Sequence, residues 1–194
     1  LSTGEAVDGE LVILAIGVRP DTRLAQAAGV TIGARGGIAV DEFNRTSDSR
    51  IYAIGDAAEK IDAFDGGASL VPLANIANRH GRTVADHIMG LEVAPSSTIG
   101  TAIVKVFDVT VAATGMNEKR AIAQGRNYRV IHTHPKSHAG YYPGATSMAL
   151  KLVIDAETDA ILGAQGVGFD GVDKRIDVIA TALKAGLCAS ELAE

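Results

Sequence analysis

The sequence predicts two successive architectures. An α/β portion runs to about residue 95, and an α+β domain built on an antiparallel sheet follows. Three observations carry this. An unbroken apolar run, Glu10 to Gly17 (ELVILAIG), ends in glycine, as a strand buried on both faces of a parallel sheet does. A proline- and serine-bearing stretch, Leu91 to Gly100 (LEVAPSSTIG), separates two differently patterned halves. Beyond it, short strand-like runs follow one another across tight turns, the grammar of antiparallel pairing.

Taken in order, the first half opens with the strand-like run to Gly17 and a turn at Val18-Arg19-Pro20-Asp21. Asp21 or Thr22 then caps a short helix to about Ala28, stopped by Gly29. Val30 to Ile32 and Gly37 to Asp41 read as brief strands on either side of the turn Arg35-Gly36-Gly37. After a polar stretch, Ile51 to Gly55 (IYAIG) is another short apolar strand, ending in Gly55-Asp56. Asp62 to Gly67 is a loop. Pro72 suits the first turn of a helix, its fixed φ and missing N–H being harmless there, and the helix runs to about Met89. Leu73, Ile76, Ala77, Val84 and Ile88 approximate helical spacing on it, and Gly90 stops it.

In the second half, Ala102 to Phe107 and Val109 to Thr114 form strands around Asp108. Asn117 caps a helix from Glu118 to Gln124. Tyr128 to His132 is a strand. Ser147 to Asp155 and Ala160 to Gly168 are strands joined by the turn Ala156-Glu157-Thr158-Asp159. Asp173 to Ala185 is a helix with Ile176, Ile179, Ala180 and Leu183 on one face and Gly186 as its stop. Ser190 opens a last helix.

Composition narrows the function classes. The 194 residues carry a net charge of −5 and a pI near 5.5, which argues against a nucleic-acid surface. Aromatics at 4% argue against base-stacking platforms. No apolar run reaches the 18 or so residues of a membrane-spanning helix. The single cysteine, Cys188, excludes an internal disulfide framework, a cysteine-rich zinc site and an in-chain CxxC pair. It fits a reducing, cytoplasmic setting, and reads as a small buried hydrophobe. The chain begins at Leu1 rather than Met, with no signal-like start, and reads as a piece of a longer one.

Two segments carry chemistry. Thr46 to Asp56 (TSDSRIYAIGD) delivers a glycine and a carboxylate at the end of an apolar run, and α/β folds bind ligands at the carboxyl edge of their strands. Gly55 admits close approach to the backbone, and Asp56 accepts hydrogen bonds from sugar or ribityl hydroxyls. The bare motif equally describes a strand with a capping aspartate. His132 to Tyr142 (HTHPKSHAGYY) clusters His132, His134 and His138. Imidazole is a common metal ligand, but Pro135 breaks the strand and no Asp, Glu or Cys lies within the cluster. Solvated loop histidines are the reading carried forward, with a metal-binding protein as the minor alternative.

Five segments in order resemble the pyridine nucleotide–disulfide oxidoreductases. Thr46 with Ile51-Tyr52-Ala53-Ile54-Gly55-Asp56-Ala57 resembles the family's second flavin-binding motif. Ile13 to Gly17 with Arg19-Pro20 resembles the segment before it. Pro72-Leu73-Ala74-Asn75 with Ala77-Asn78 resembles the start of its flavin-facing helix. Tyr141 to Ala145 and Asp173 to Asp177 resemble its C-terminal dimerisation domain, in the branch of CoA-disulfide reductases, NADH oxidases and persulfide reductases.

The resemblance implies an FAD/NAD(P)-binding portion followed by a dimerisation domain. Residues 1–95 would be the end of the nicotinamide domain and the second segment of the FAD domain, and residues 96–194 the dimerisation domain, cut short at its end. It implies FAD, with NADH or NADPH as co-substrate, and cofactor contacts at Gly17, Gly55, Asp56, Ala57, Leu73, Ala74 and Asn75. Asp56 would hold the ribityl chain. The helix N-terminus, with Leu73, Ala74 and Asn75 as backbone donors, would face the pyrimidine edge, where reduced flavin is negative. Asn78 would face a thiol or CoA substrate where some CoA-disulfide reductases carry histidine; an amide there cannot act as a general acid near neutral pH. Tyr141 would reach the partner subunit's active site in a homodimer and donate a hydrogen bond or proton to a thiolate or peroxide.

No GxGxxG occurs in the chain, and Cys188 does not match the family's redox cysteine. The expectation is therefore a segment of an FAD-dependent NAD(P)H oxidoreductase acting on a disulfide, persulfide, peroxide or oxygen. This segment would supply part of the flavin site and the dimer interface and be inactive in isolation. The alternative is a non-catalytic binding and dimerisation module.

Overall fold

A computed structural model describes residues 2–193. Its larger sheet is five-stranded and wholly antiparallel, made of β3 (Ala102–Val106), β4 (Val109–Gly115), β7 (Ile161–Gly168), β6 (Met148–Asp155) and β5 (Tyr128–Thr133), in that spatial order. Two hairpins and a return strand generate it. The first hairpin turns at Phe107-Asp108, with Phe107 at φ 51°. The second turns at Ala156 to Asp159, where the Asp155 carboxylate accepts the N–H groups of Glu157 and Thr158 and Asp159 sits at φ 61°. That local bonding is why an Asp-led tetrapeptide turns here.

Helix α3 (Glu118–Ala123) starts as expected: Asn117 in extended conformation accepts the Arg120 N–H. Helix α4 (Val172–Ala185) lies across one sheet face, and Gly186 at φ 76° ends it. Val172 and Ile176, both fully buried, pack with Ala112, Met148 and Ala164. Gly166 allows this closeness, since a Cβ there would stand 2.9 Å from both Leu150 and Val172. On the other face, Ala121 of α3 covers Val153, Met116 and Leu162, and Phe64 reaches into that cluster from the first half of the chain. Each fully buried aliphatic side chain contributes about 1.5–3 kcal/mol. A short helix α5 (Ala189–Leu192) closes the chain. Cys188 caps it half-buried, with its thiol toward the Thr158 carbonyl at 3.6 Å. The buried hydrophobe expected from the sequence is thus a helix-cap residue, because its backbone bridges Ala160 at the sheet margin.

The first half departs most from the sequence reading. Glu10 to Gly17 forms no strand, and Leu11, Val12, Ile13, Leu14 and Ile16 are 76–88% exposed. A strand exists only by pairing, and no partner for this run occurs among the described residues. The brief strands read at Val30–Ile32, Gly37–Asp41 and Ile51–Gly55 reduce to single bridges: Ile32 with Ile38, Ile38 with Ala58, and Arg45 with Tyr52. The loop read at Asp62–Gly67 is the connection of a small hairpin, β1 (Lys60–Ile61) with β2 (Ala68–Ser69). The helix near Pro72 is α2 (Ala74–Ile88), and Pro72 precedes its N-cap, Leu73, rather than occupying its first turn. The short helix before Gly29 is α1 (Arg23–Ala27).

The two halves meet at a charged contact. Arg120 of α3 donates to Asp62 at 2.6 Å and to Asp65 at 3.2 Å. Its guanidinium also lies 5.4 Å from the Phe64 ring centroid.

Candidate functional site

The segment before Asp56 is held by a residue the sequence reading passed over. Asn44, at φ 65° and 1% exposed, accepts the Ala53 N–H on its backbone carbonyl at 3.0 Å. It returns its side-chain amide to the Ala53 carbonyl at 3.1 Å. Asparagine tolerates this left-handed conformation because its short amide bonds locally. The same amide lies 3.0 Å from Nδ1 of His80, a residue of α2 that is 5% exposed. Donation from the amide leaves that nitrogen as acceptor, so the buried ring is held neutral. Burial, then the charges of Lys60 and Arg79, lowers its pKa below the ordinary imidazole value.

After extended Ile54, Gly55 at φ 70° turns the chain into a single 3-10 turn, Gly55–Ala57, which presents Asp56 to solvent. Helix α2 packs beside it, and a Cβ on Gly55 would stand 3.6 Å from Cβ of Ala77. The exit of the turn is fixed by Ile38, whose N–H donates to Ala57 and whose carbonyl accepts from Glu59. The buried Glu59 carboxylate accepts the Arg35 N–H at 2.7 Å and fills the space where Gly33 would carry a side chain. Lys60, 3% exposed, sends its ammonium back to the carbonyls of Gly55 and of Ala58, the latter at 2.6 Å. Burial pushes its pKa down, and the neighbouring Asp56 carboxylate pushes it up.

The start of α2 is bare. Its N-cap, Leu73, offers no side-chain acceptor, and no acidic residue occupies the first turn. The Leu73 N–H donates to the Val71 carbonyl, so it is not free as a donor. Among the described residues no acceptor is recorded for the N–H groups of Ala74 and Asn75, whose side chains are exposed. A helix N-terminus with unpaired N–H groups favours a negative or acceptor-rich ligand edge. Asn75 opens onto a cavity of about 580 Å³ between α2, the 97–101 segment and α4. Asn78 lies one turn on, exposed, with Oδ1 3.4 Å from Arg82.

The structure thus sets the Gly55–Ala57 turn beside the first turn of α2, which Ala74 and Asn75 begin and where Ala77 faces Gly55. It sets Gly17 apart, at φ 85° in the exposed leading segment. Tyr141 is apart too, on the loop between β5 and β6, 91% exposed. That loop is folded on itself: Ser137 donates its N–H to Thr146, and Tyr142 donates its N–H to Ala139. The His138 ring stands 5.0 Å from that of Tyr142 and 3.6 Å from the Asp170 carboxylate. Among the described residues no three His, Cys, Asp or Glu side chains are placed to hold a metal. Among the described residues no helix is long and apolar enough to cross a membrane.

Sequence reasoning missed Asn44, Glu59, Lys60 and His80. Gly33 was a signal for Glu59, since a Cβ there would collide with its carboxylate. Lys60 carries none, because a Glu-Lys pair reads as a solvated surface.

Comparison with known proteins places the geometry in context. Residues 1–81 match the family model described as pyridine nucleotide-disulphide oxidoreductase. Residues 101–194 match the dimerisation domain of the same enzymes. An NAD(P)H coenzyme A polysulfide/persulfide reductase of Pyrococcus horikoshii is 38% identical over 182 residues, 94% of this chain and 41% of that protein. The crystal structure of reduced Bacillus anthracis CoADR-RHD superposes with a TM-score of 0.90 at 49% identity, covering 96% of this chain and 34% of that one. A NAD-dependent persulfide reductase from A. fulgidus gives 0.92 at 40% identity, covering 98% and 35%. The chain therefore spans less than half the length of these relatives.

Proposed function

The chain belongs to the pyridine nucleotide-disulphide oxidoreductases, and from that premise we propose that it supplies the second half of a flavin site, and a dimer interface, to an FAD-dependent NAD(P)H oxidoreductase. The observation that carries this is the convergence of the Gly55–Asp56 turn with the bare N-terminus of α2. The donor set fits the group. Asp56 is an exposed acceptor for ribityl hydroxyls, Ala74 and Asn75 offer N–H donors to the acceptor edge of the pyrimidine ring, and their small or polar side chains leave that edge open. Bound flavin would carry electrons from the reduced nicotinamide to a disulfide, persulfide, peroxide or oxygen.

The residues of this chain hold and orient. The positive end of α2 lowers the free energy of negative charge placed against it, by about 0.3–1 kcal/mol when exposed and up to about 2 in a partly buried geometry. Asn78, beside it, orients an acceptor by hydrogen bonding and transfers no proton. Tyr141, on its self-braced loop, is the residue that reaches the partner's site. The proposed contact between copies is the sheet face opposite α4, where Val104, Val106, Val111 and Val167 stand 42–55% exposed. The division at about residue 95 and a cytoplasmic location belong to the same reading. A flavin absorbance spectrum of the protein expressed from its whole gene tests it. Asp56→Ala is expected to weaken FAD binding about tenfold or more, the loss of a hydrogen bond to a charged acceptor. Undiminished flavin content would remove Asp56 from the site.

A further inference from the structure

Lysine is almost never fully buried without a paired charge, and desolvating its ammonium costs free energy that hydrogen bonds must offset. Lys60 is 3% exposed. Among the described residues no carboxylate lies within ion-pair distance of it, and its recorded acceptors are two main-chain carbonyls, those of Gly55 and Ala58. An apolar side chain would fill the same volume at lower cost. What the ammonium adds is a tie between the two ends of the turn that carries Asp56.

Ile38 holds the exit of that turn from outside, through Ala57 and Glu59, but little ties its two ends to each other. A 3-10 turn has poor hydrogen-bond geometry. The one bond closing this turn, from the Ala58 N–H to the Gly55 carbonyl, is long at 3.3 Å. Gly55, at its start, is the residue type with the most conformational freedom to lose. The two Lys60 bonds bracket the turn, one at each end, and both are charge-assisted, hence roughly twice as strong as a neutral pair. The ammonium also lies close enough to Asp56 for their charges to interact. His80 of α2 feels the Lys60 charge, together with that of Arg79, and the buried carboxylate of neighbouring Glu59 is engaged with the Arg35 N–H.

We propose that Lys60 is a positioning residue for flavin: by tying Gly55 to Ala58 it fixes the direction in which the Asp56 carboxylate meets a ribityl hydroxyl. The inference rests on the flavin reading above. It concerns the backbone behind the carboxylate rather than any contact with the cofactor.

The test uses the protein expressed from its whole gene, with Lys60→Met, Asp56→Asn and the double variant. Flavin release from the diluted holoprotein is followed by free-flavin fluorescence, and urea unfolding is measured alongside. Lys60→Met is expected to weaken flavin retention about tenfold, as for one charged hydrogen bond. In the Asp56→Asn background the same change is expected to have less than a third of that effect, because the group it positions is already compromised. Should Lys60→Met not fold, Lys60→Gln, which keeps a donor without the charge, is measured in the same cycle; a smaller loss is expected, with the same dependence on Asp56. Lowered stability with flavin retention within twofold of wild type would overturn the inference and leave the flavin reading standing. Equal effects with and without Asp56 would do the same. A wild-type protein that binds no flavin would overturn both.

Discussion

Replacing Arg120 by methionine tests what joins the two halves of the molecule. The guanidinium donates to Asp62 at 2.6 Å and to Asp65 at 3.2 Å. The Asp62 side chain is 9% exposed and that of Asp65 is 41%. The second arm is therefore close to a surface pair, worth about 0–1 kcal/mol. The first is different. Removing Arg120 strands a nearly buried carboxylate, which then keeps the Phe64 N–H at 2.9 Å as its recorded donor. Breaking a fully buried pair costs about 3–5 kcal/mol, but the Arg120 side chain retains 31% exposure, so water reaches the pair. A loss of about 2–3 kcal/mol follows, measured by urea unfolding of the protein expressed from its whole gene. Methionine keeps the apolar stem over Phe64, so the loss reports charge rather than packing. Arg120→Met combined with Asp62→Asn is expected to recover about half of it, since an amide is cheaper to bury unpaired than a carboxylate. A loss under about 0.5 kcal/mol, or strict additivity in the double variant, would refute the argument.

Three further outcomes follow from the same structure. Gly163→Ala places a Cβ 2.3–2.4 Å from the main-chain oxygen and nitrogen of Met116, which cannot rotate away, so a loss of about 3 kcal/mol or more is expected in chemical unfolding. His80 is held with a lowered pKa, so its neutral form is favoured in the folded state. Its contribution to stability is full above the ordinary imidazole value, about 6.5, and is lost as pH falls from there through the lower folded value. His80→Gln, which still offers Asn44 an acceptor, is expected to flatten that acid limb; an unchanged profile in unfolding titrations run downward in pH from about 7 would assign the limb elsewhere. Tyr141→Phe is expected to lower turnover of the whole protein with flavin content and dimer mass unchanged; equal turnover would leave the phenol without a chemical role.

What was legible in the sequence is what is decided locally. Asn117, the Asp155 turn and Gly186 each fix their own few residues, and α3, the β6–β7 hairpin and α4 fall within a residue or two of their expected bounds. A strand is decided elsewhere, by its neighbour, so the apolar run before Gly17 could not be placed from its own composition. The Gly55–Asp56 turn was read from an apolar run ending in glycine and carboxylate, and α2 from Pro72 and its spacing; the flavin role of both came only from the order of segments, and Pro72 misled by two positions because it only precedes the cap. Asn44, Lys60 and His80 stayed hidden because polar residues buried for one specific bond look, in sequence, like any others facing water.

The leading segment has a practical consequence for anyone handling this chain alone. Residues 11–16 read Leu-Val-Ile-Leu-Ala-Ile, with no charge, proline or glycine, and have no ladder partner among the described residues. Such a hexapeptide is a template for stacking copies edge to edge into cross-β fibrils. Purified 194-residue chain would therefore thicken into thioflavin-positive aggregates on storage, and a lysine placed at Ile13 would act as a gatekeeper that keeps it in solution.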